Sequence, residues 1–181
     1  VTVVCTGDPA KYSGDAAAAF QAWRKAGGTI TTELPATQDW ALVIDGLFGI
    51  GIKRDIDDQY AILVETINAL DAPVLALDLP SGLDADTGRV MGCAVAADHT
   101  LTFIALKPGL LTLDGPDYSG NVTVADLGLA DAVAAAPHGV TIGSGVLTHL
   151  LPSRLQNSHK GTYGSAGIVG GASGMSGAAL L

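Results

Sequence analysis

Cysteines and long apolar runs are scarce in this chain. Of its 181 residues only Cys5 and Cys93 are cysteines, and both lie in apolar contexts without metal-ligand spacing. Two such residues form neither a disulfide framework nor a thiolate metal site, so they predict buried thiols in a reducing, cytoplasmic environment. No apolar run reaches the roughly 18 to 20 residues of a membrane span, and the opening VTVVC is too short for a signal peptide.

Basic residues are also few. Nine lysines and arginines stand against 18 aspartates and glutamates, for a net charge of −9. Binding to nucleic-acid phosphates needs clustered cations, so we expect no nucleic-acid partner. A hydrophobic content of 48% with 15% charged residues is typical of a soluble globular α/β protein. An anionic small molecule can still be held by backbone N–H groups and a few basic side chains.

Apolar strand-like segments alternate with helix-like segments. This order predicts a three-layer αβα, Rossmann-like fold with a mostly parallel, doubly wound sheet. The predicted strands cover 1–5, 29–34, 41–45, a segment that starts at Pro73, 99–104 and 121–125, and the predicted helices cover 16–26 and 57–70. The alanine-rich stretch 130–137 is the candidate linker.

Two of the predicted strands end in an aspartate. Ala41 to Ile44 lead to Asp45, and Val74 to Leu77 lead to Asp78. The carboxyl edge of a parallel sheet is where open α/β folds bind ligands. We therefore expect both carboxylates to line one crevice.

Three ordered motifs mark a known family. They are D-G-L-F-G-x-G-x-x-R from Asp45, D-L-P-S-G-L-D-A-D-T-G from Asp78, and T-x-T-F-x-x-x-K-P-G from Thr100 to Gly109. Together they resemble the NAD(P)HX epimerase domain, or YjeF N-terminal domain. The tail, with H-K-G-x-Y-G from His159 and G-G-A-S-G-M-S-G-A-A from Gly170, resembles the opening of the ADP-dependent NAD(P)HX dehydratase domain, which is ribokinase-like.

The resemblance implies a domain plan and an activity. Residues 1–135 would form an epimerase-like domain without its first βα unit, 136–158 a junction, and 159–181 the start of the dehydratase. The parent protein would epimerise R- and S-NAD(P)HX and use ADP or ATP in its dehydratase half, at a site outside this chain. The asparagine-glycine phosphate loop of the family is not found, so we expect a piece of a longer polypeptide that is inactive alone. Exposed apolar surface makes a homo-oligomer possible.

The resemblance also implies roles for individual residues. Asp45 and Ser81 match potassium ligands, and a hard monovalent cation prefers such oxygen donors. Asp78 matches the residue that contacts the hydrated nicotinamide ring and is expected to exchange protons with it. The segment that matches the loop at the phosphate and ribose consists of Gly49, Ile50, Gly51, Ile52, Lys53, Arg54 and Asp55.

Simpler roles remain open for these residues. Asp45 could bond the loop amides, Asp78 could bond the amides of Ser81 and Gly82, and residues 49–55 could form a tight turn with two solvated cations. Lys107 either neutralises ligand phosphate or lies in a surface turn. For the whole chain, the alternatives are a noncatalytic nucleotide- or protein-binding module and a ribokinase-like sugar kinase relative.

Overall fold

A computed structural model describes residues 1–35, 39–129, 137, 139–150, 153–165, 167–174 and 177. The chain divides into two compact units, Val1–Ala134 and Ala135–Leu181. The predicted domain boundaries after residues 135 and 158 stay a prediction. All of the predicted linker except Pro137 lies outside the described residues.

Parallel strands form the framework of the first unit. In its described part the strands are β1 (Val3–Val4), β2 (Ile30–Thr31), β3 (Val43–Asp45), β4 (Val74–Leu77), β5 (His99–Phe103) and β6 (Asn121–Ala125). β1 pairs with β2, and the other four strands follow one another in the order β3-β4-β5-β6, with every pair parallel. The predicted α/β fold with parallel, Rossmann-like strand pairing is confirmed.

The helices begin and end close to the predicted positions. α1 spans Gly14–Lys25 and α2 spans Asp58–Asn68, while the short α3, Gly115–Ser119, was not predicted because five residues carry no helical period. Ser13 precedes α1 with extended backbone, yet its side chain makes no capping hydrogen bond. No helix in the described part of the chain has the length and apolar content to cross a membrane.

The core joins α2 to the middle of the larger sheet. Val64 and Ile67 on the inner face of α2 pack with strand residues Val74 and Ala76 and with the segment that precedes β5. Burying an aliphatic side chain of this size contributes about 1.5–3 kcal/mol. A second cluster, Leu79, Leu83 and Leu110, lies beyond the end of β4. The two clusters therefore hold the carboxyl end of β4 in place.

In the described residues the strands form two separate sheets, one of two strands and one of four, where the sequence pattern suggested one sheet. A cavity of about 1050 Å³ is lined by residues 1–7, which include β1, by residues 40–48, which include β3, and by side chains of α2. Apolar periodicity identifies which residues form strands, but it carries no information on which strands are neighbours.

The second unit has little regular structure in its described residues. It contains α4, Ser144–Leu150, and a short 3₁₀ helix, Lys160–Thr162. The guanidinium carbon of Arg154 lies 5.1 Å from the centroid of the Tyr163 ring. The small and apolar residues 165–169 also predict a strand before the glycine-rich segment, but residues 165 and 167–169, the described part, form none. The predicted ribokinase-like beginning is not confirmed.

Candidate functional site

Asp45 and Ser81 form a buried oxygen cluster between the ends of β3 and β4. The exposed fractions are 2% for Asp45 and 1% for Ser81. The Ser81 hydroxyl donates to Asp45 Oδ1 over 2.6 Å, and the Ser81 N–H donates to Asp45 Oδ2 over 2.7 Å. The Leu47 N–H also donates to Oδ1, over 3.2 Å. The structure therefore brings together the two residues predicted to bind a metal ion.

Strand register and a glycine turn explain this meeting. Asp45 lies opposite Ala76, so the turn after β4 carries Ser81 back toward the end of β3. Gly82 has φ +96°, and a Cβ there would lie 2.0 Å from the carbonyl oxygen of Cys93. Only glycine allows the chain to turn this close to a neighbouring backbone. The P-S-G segment thus places the serine hydroxyl against Asp45.

The oxygen atoms of this cluster are of the kind that coordinate a hard cation. Besides the Asp45 carboxylate and Ser81 Oγ, the carbonyl oxygen of Phe48 lies 3.3 Å from Ser81 Oγ. None of the ion pairs in the described residues includes Asp45. Those residues also contain no group of three or more His, Cys, Asp or Glu side chains arranged to hold a metal ion. Oxygen ligands with a single buried carboxylate fit an alkali-metal ion better than a transition metal.

Asp78 sits in a tight turn directly after β4. Its φ is +71°, and the N–H of Leu79 donates to the carbonyl of Leu77 over 3.0 Å, which closes a three-residue turn around it. Asp tolerates the left-handed region better than most residues, but the conformation still costs about 1–3 kcal/mol. Such strain is often found at functional positions.

The Asp78 carboxylate accepts hydrogen bonds from the end of the neighbouring strand. Its Oδ1 accepts from the N–H of Phe103 over 3.0 Å, from the hydroxyl of Thr102 over 3.2 Å, and from the ammonium group of Lys107. Burial acts to raise the pKa of Asp78, but the three donors together outweigh it and hold that pKa below its usual value. The Ser81 amide, a suggested partner of Asp78, donates to Asp45 instead.

In the described residues, no hydrogen bond or ion pair joins the predicted phosphate loop, residues 49–55, to Asp45 or Asp78. Lys53 and Arg54 are exposed, and the ion pairs of the described residues include neither of them. Asp55, in the same loop, lies 3.5 Å from the guanidinium group of Arg89. The backbone of Ile56 then donates to the carbonyl of Met91 over 2.8 Å. These contacts attach the loop to the segment that follows Ser81.

The cavity reaches one carboxylate only. Asp45 and Phe48 line it, as does Leu77, whereas neither Asp78 nor any residue of the loop 49–55 does. Its volume of about 1050 Å³ is at the upper end of what small-molecule pockets occupy. Phe48 also packs edge-on against Tyr60 of α2, with ring centroids 5.1 Å apart, which fixes the start of the loop.

Sequence reasoning missed two members of the site. Thr102 was not singled out, and Lys107 was assigned to ligand phosphate or to a surface turn, whereas both contact Asp78. Arg89, the partner of Asp55, was also overlooked. The signal for the first two was the T-x-T-F-x-x-x-K spacing, which places them at the carboxyl end of a strand that could neighbour β4. Using it required knowing that β4 and β5 are adjacent.

Comparison with known proteins connects this site to a family. The family described as "YjeF-related protein N-terminus" matches residues 1–109. A bifunctional NAD(P)H-hydrate repair enzyme from Vibrio cholerae is 43% identical and aligns with 100% of this chain and 37% of its own length. A bifunctional NAD(P)H-hydrate repair enzyme from Leishmania infantum is 41% identical, over 100% of this chain and 34% of its own length.

A shorter relative carries a single activity in its name. The NAD(P)H-hydrate epimerase of Levilactobacillus brevis is 38% identical, over 71% of this chain and 60% of its own length. The chain thus spans about a third of the length of the two bifunctional relatives. The matched segment, residues 1–109, contains β1 to β5, Asp45, Asp78, Ser81 and Lys107. On this match the chain belongs to the YjeF-related N-terminal family.

Proposed function

We propose that this chain supplies the epimerase part of a nicotinamide nucleotide repair enzyme. Its substrates are the R and S forms of hydrated NADH and NADPH, NAD(P)HX, and residues 1–135 form the epimerase domain. Relatives that align with the whole chain are named bifunctional NAD(P)H-hydrate repair enzymes, which supports this assignment. In the parent polypeptide an ADP- or ATP-dependent dehydratase completes the repair, at a site outside this chain.

Asp78 is the proposed acid–base group. Its carboxylate takes the proton of the ring hydroxyl, a C=O bond forms as the bond from that carbon to the ring nitrogen breaks, and the carboxyl group returns the proton to the nitrogen. Closure on the opposite face of the carbonyl reverses these transfers. If the hydroxyl is instead lost as water and regained, the same group first donates and then accepts a proton. The lowered pKa of Asp78 favours the ring-opening route, in which the group begins as a base, and its partly exposed side chain is open to substrate.

A potassium ion is the proposed cofactor. The Asp45 carboxylate, Ser81 Oγ and the Phe48 carbonyl would hold it, since all three are oxygen donors in one buried cluster. A bound cation would supply positive potential at the carboxyl edge of the sheet.

Potassium chloride should raise the melting temperature of the chain above that in choline chloride, and Asp45→Asn should abolish the difference. An equal response of both proteins would contradict the site.

Lys53 and Arg54 are the proposed contacts for the substrate's phosphates. Both side chains are exposed, and the glycines at 49 and 51 have open space around them, so a ligand can approach the backbone closely. Ile50, Ile52 and Asp55 complete the proposed binding loop.

Cys5 and Cys93 are free thiols, which supports placing the protein in the cytoplasm.

The placement of the Asp45–Ser81 cluster and of Asp78 at the carboxyl ends of two adjacent parallel strands carries this proposal. Its test is NMR-monitored interconversion of pure R-NADHX by the chain and by a chimaera in which the chain replaces the aligned part of the Vibrio cholerae relative. The chimaera should equilibrate the epimers, and Asp78→Asn in it should abolish turnover without unfolding the protein. The exposed Asp86→Asn is the control, with unchanged activity.

No conversion by a folded chimaera would favour a noncatalytic nucleotide- or protein-binding module. A titration with NADPH would then separate nucleotide binding from its absence. The sugar kinase alternative is not favoured, because the relatives reported above are named for hydrate repair and epimerisation.

A further inference from the structure

The chain folds back sharply after β5. Ile104 has φ +69°, and the N–H of Ala105 donates to the carbonyl of Phe103 over 2.7 Å, so the turn resembles the one around Asp78. A β-branched residue in the left-handed region is strained, at a cost of about 1–3 kcal/mol. The result of this turn is that Lys107 points back to the end of its own strand.

All three N–H donors of the Lys107 ammonium group are used by acceptors at the end of β5 and in the turn after β4. Its Nζ donates to Asp78 Oδ1, to Thr102 Oγ over 3.0 Å, and to the carbonyl oxygen of Phe103 over 2.8 Å. An ammonium group has three N–H donors and no acceptor. The side chain is only 20% exposed. Lys107 is therefore fully engaged inside the protein and is poorly placed to neutralise a ligand phosphate.

The two oxygens of Asp78 have different surroundings. All three of its hydrogen-bond donors reach Oδ1, and none of the hydrogen bonds in the described residues reaches Oδ2. The side chain is 21% exposed, and Oδ2 is not among the buried polar atoms without a partner. One oxygen is thus anchored, while the other is open to solvent at the edge of the sheet.

We propose that Lys107 is the positioning residue of Asp78: it fixes Oδ1 and the plane of the carboxylate, so that Oδ2 is the oxygen that exchanges the proton with substrate. This proposal rests on the proposed epimerase function. In the forward step Oδ2 gains the proton that the ring hydroxyl loses, and Oδ2 gives the same proton to the ring nitrogen. Lys107 stays hydrogen-bonded to Oδ1 and transfers no proton itself. It touches no reacting atom and acts only through Asp78.

The first test uses this chain and does not depend on turnover. Carboxyl ¹³C NMR of aspartate-labelled protein, with Asp78 assigned from the spectrum of Asp78→Asn, gives the pKa of Asp78 directly. It should lie below that of the same residue in urea. Lys107→Met should raise this pKa in the folded protein, and Lys107→Arg should keep it low. Lys25→Met, which makes the same charge change at the exposed last residue of α1, should leave it unchanged.

The second test uses the chimaera and separates positioning from phosphate binding. Lys107→Met should lower kcat by about 10- to 100-fold with KM changed less than about threefold, because general acid–base catalysis contributes about 10²–10⁴-fold and depends on the placement of the group. Lys107→Arg should restore part of kcat. A rise in KM with kcat unchanged would overturn the proposal, since that pattern reports a lost contact to bound substrate.

The two tests distinguish failure of this inference from failure of the proposed function. If no variant of the chimaera turns over R-NADHX, the epimerase assignment fails, and the NMR titration still decides whether Lys107 holds Asp78. A folded-state pKa equal to that in urea would overturn the positioning role even if Lys107→Met does not fold. An unchanged pKa in a folded Lys107→Met would overturn it as well.

Discussion

Two carboxylates at adjacent strand ends have different surroundings, and at the scale of single residues this difference underlies the separate roles proposed for them. Asp45 is buried, both of its oxygens accept hydrogen bonds, and no ion pair in the described residues includes it. Asp78 is partly exposed and is paired with an ammonium group. A buried, uncompensated carboxylate suits cation binding, whereas a partly exposed carboxylate with one open oxygen suits proton exchange.

Replacing Ser81 by alanine should destabilise the protein. The change removes a donor to Asp45 and the acceptor of the Phe48 N–H, which is 2.8 Å from Ser81 Oγ. Leaving buried polar groups without partners costs about 1–3 kcal/mol each. Urea denaturation should show a loss of at least about 1 kcal/mol. Asp86→Asn, at an exposed position nearby, should show almost none, and equal stability of all three proteins would contradict the buried cluster.

The stability of the chain should depend on pH through Asp78. Its pKa is lowered in the folded state, so its contribution is present above the unfolded pKa of about 3.9 and is lost as pH falls through the folded pKa. Asp78→Asn removes this titration. The difference in unfolding free energy between wild type and variant should be constant above about pH 5 and shrink below about pH 4. Urea melts across this range measure it, and a pH-independent difference would argue against the assignment.

At the scale of elements, the turns after β4 and β5 build the site more than the strands themselves do. Both turns place a non-glycine residue at positive φ, Asp78 at +71° and Ile104 at +69°. Gly82, which has no Cβ, lets the backbone of the first turn come close to the Cys93 carbonyl oxygen. The strands bring these turns to one edge, and the turns decide which side chains meet.

Adding a methyl group at Gly82 should be far more damaging than at Gly49. A Cβ at Gly82 would lie 2.0 Å from the Cys93 oxygen at φ +96°, whereas at Gly49 nothing lies within 4 Å. The strained conformation alone costs about 1–3 kcal/mol, and the overlap adds to it. Gly82→Ala should therefore lower the unfolding free energy by more than about 2 kcal/mol, while Gly49→Ala stays near wild type. Similar urea midpoints for the two variants would contradict the described turn.

At the scale of the whole molecule, the larger sheet exposes apolar side chains beside the cavity. Ile44 in the middle of β3 is 58% exposed and Leu42 just before it is 47% exposed. In the described residues β3 pairs with β4 alone. A free strand edge next to exposed apolar side chains favours association between chains.

Self-association should therefore be weakened by a charge at Ile44. We expect the wild-type chain to form concentration-dependent oligomers and Ile44→Lys to move the distribution toward monomer, because an ammonium group opposes edge pairing and apolar contact. Sedimentation velocity at several concentrations measures this. Ile62→Lys on α2 is the matched control, since Ile62 is 65% exposed and does not line the cavity. A monomeric wild type, or an equal effect of both variants, would contradict the role of this edge.

The sequence by itself determined the order of strands and helices, the parallel α/β class and the family. These follow from local periodicity, turn residues and motif spacing, all of which are properties of short segments. It also marked Asp45, Ser81 and Asp78 as residues at strand ends, where their type and position suggested chemistry.

Only the tertiary structure decided which of these residues meet. It paired Ser81 with Asp45, Lys107 with Asp78 and Asp55 with Arg89. It also divided the described strands between two sheets. Each of these contacts joins residues that are distant in sequence or depends on the order of strands in a sheet. Periodicity contains neither kind of information, because it records which face of an element is buried and not what lies against that face.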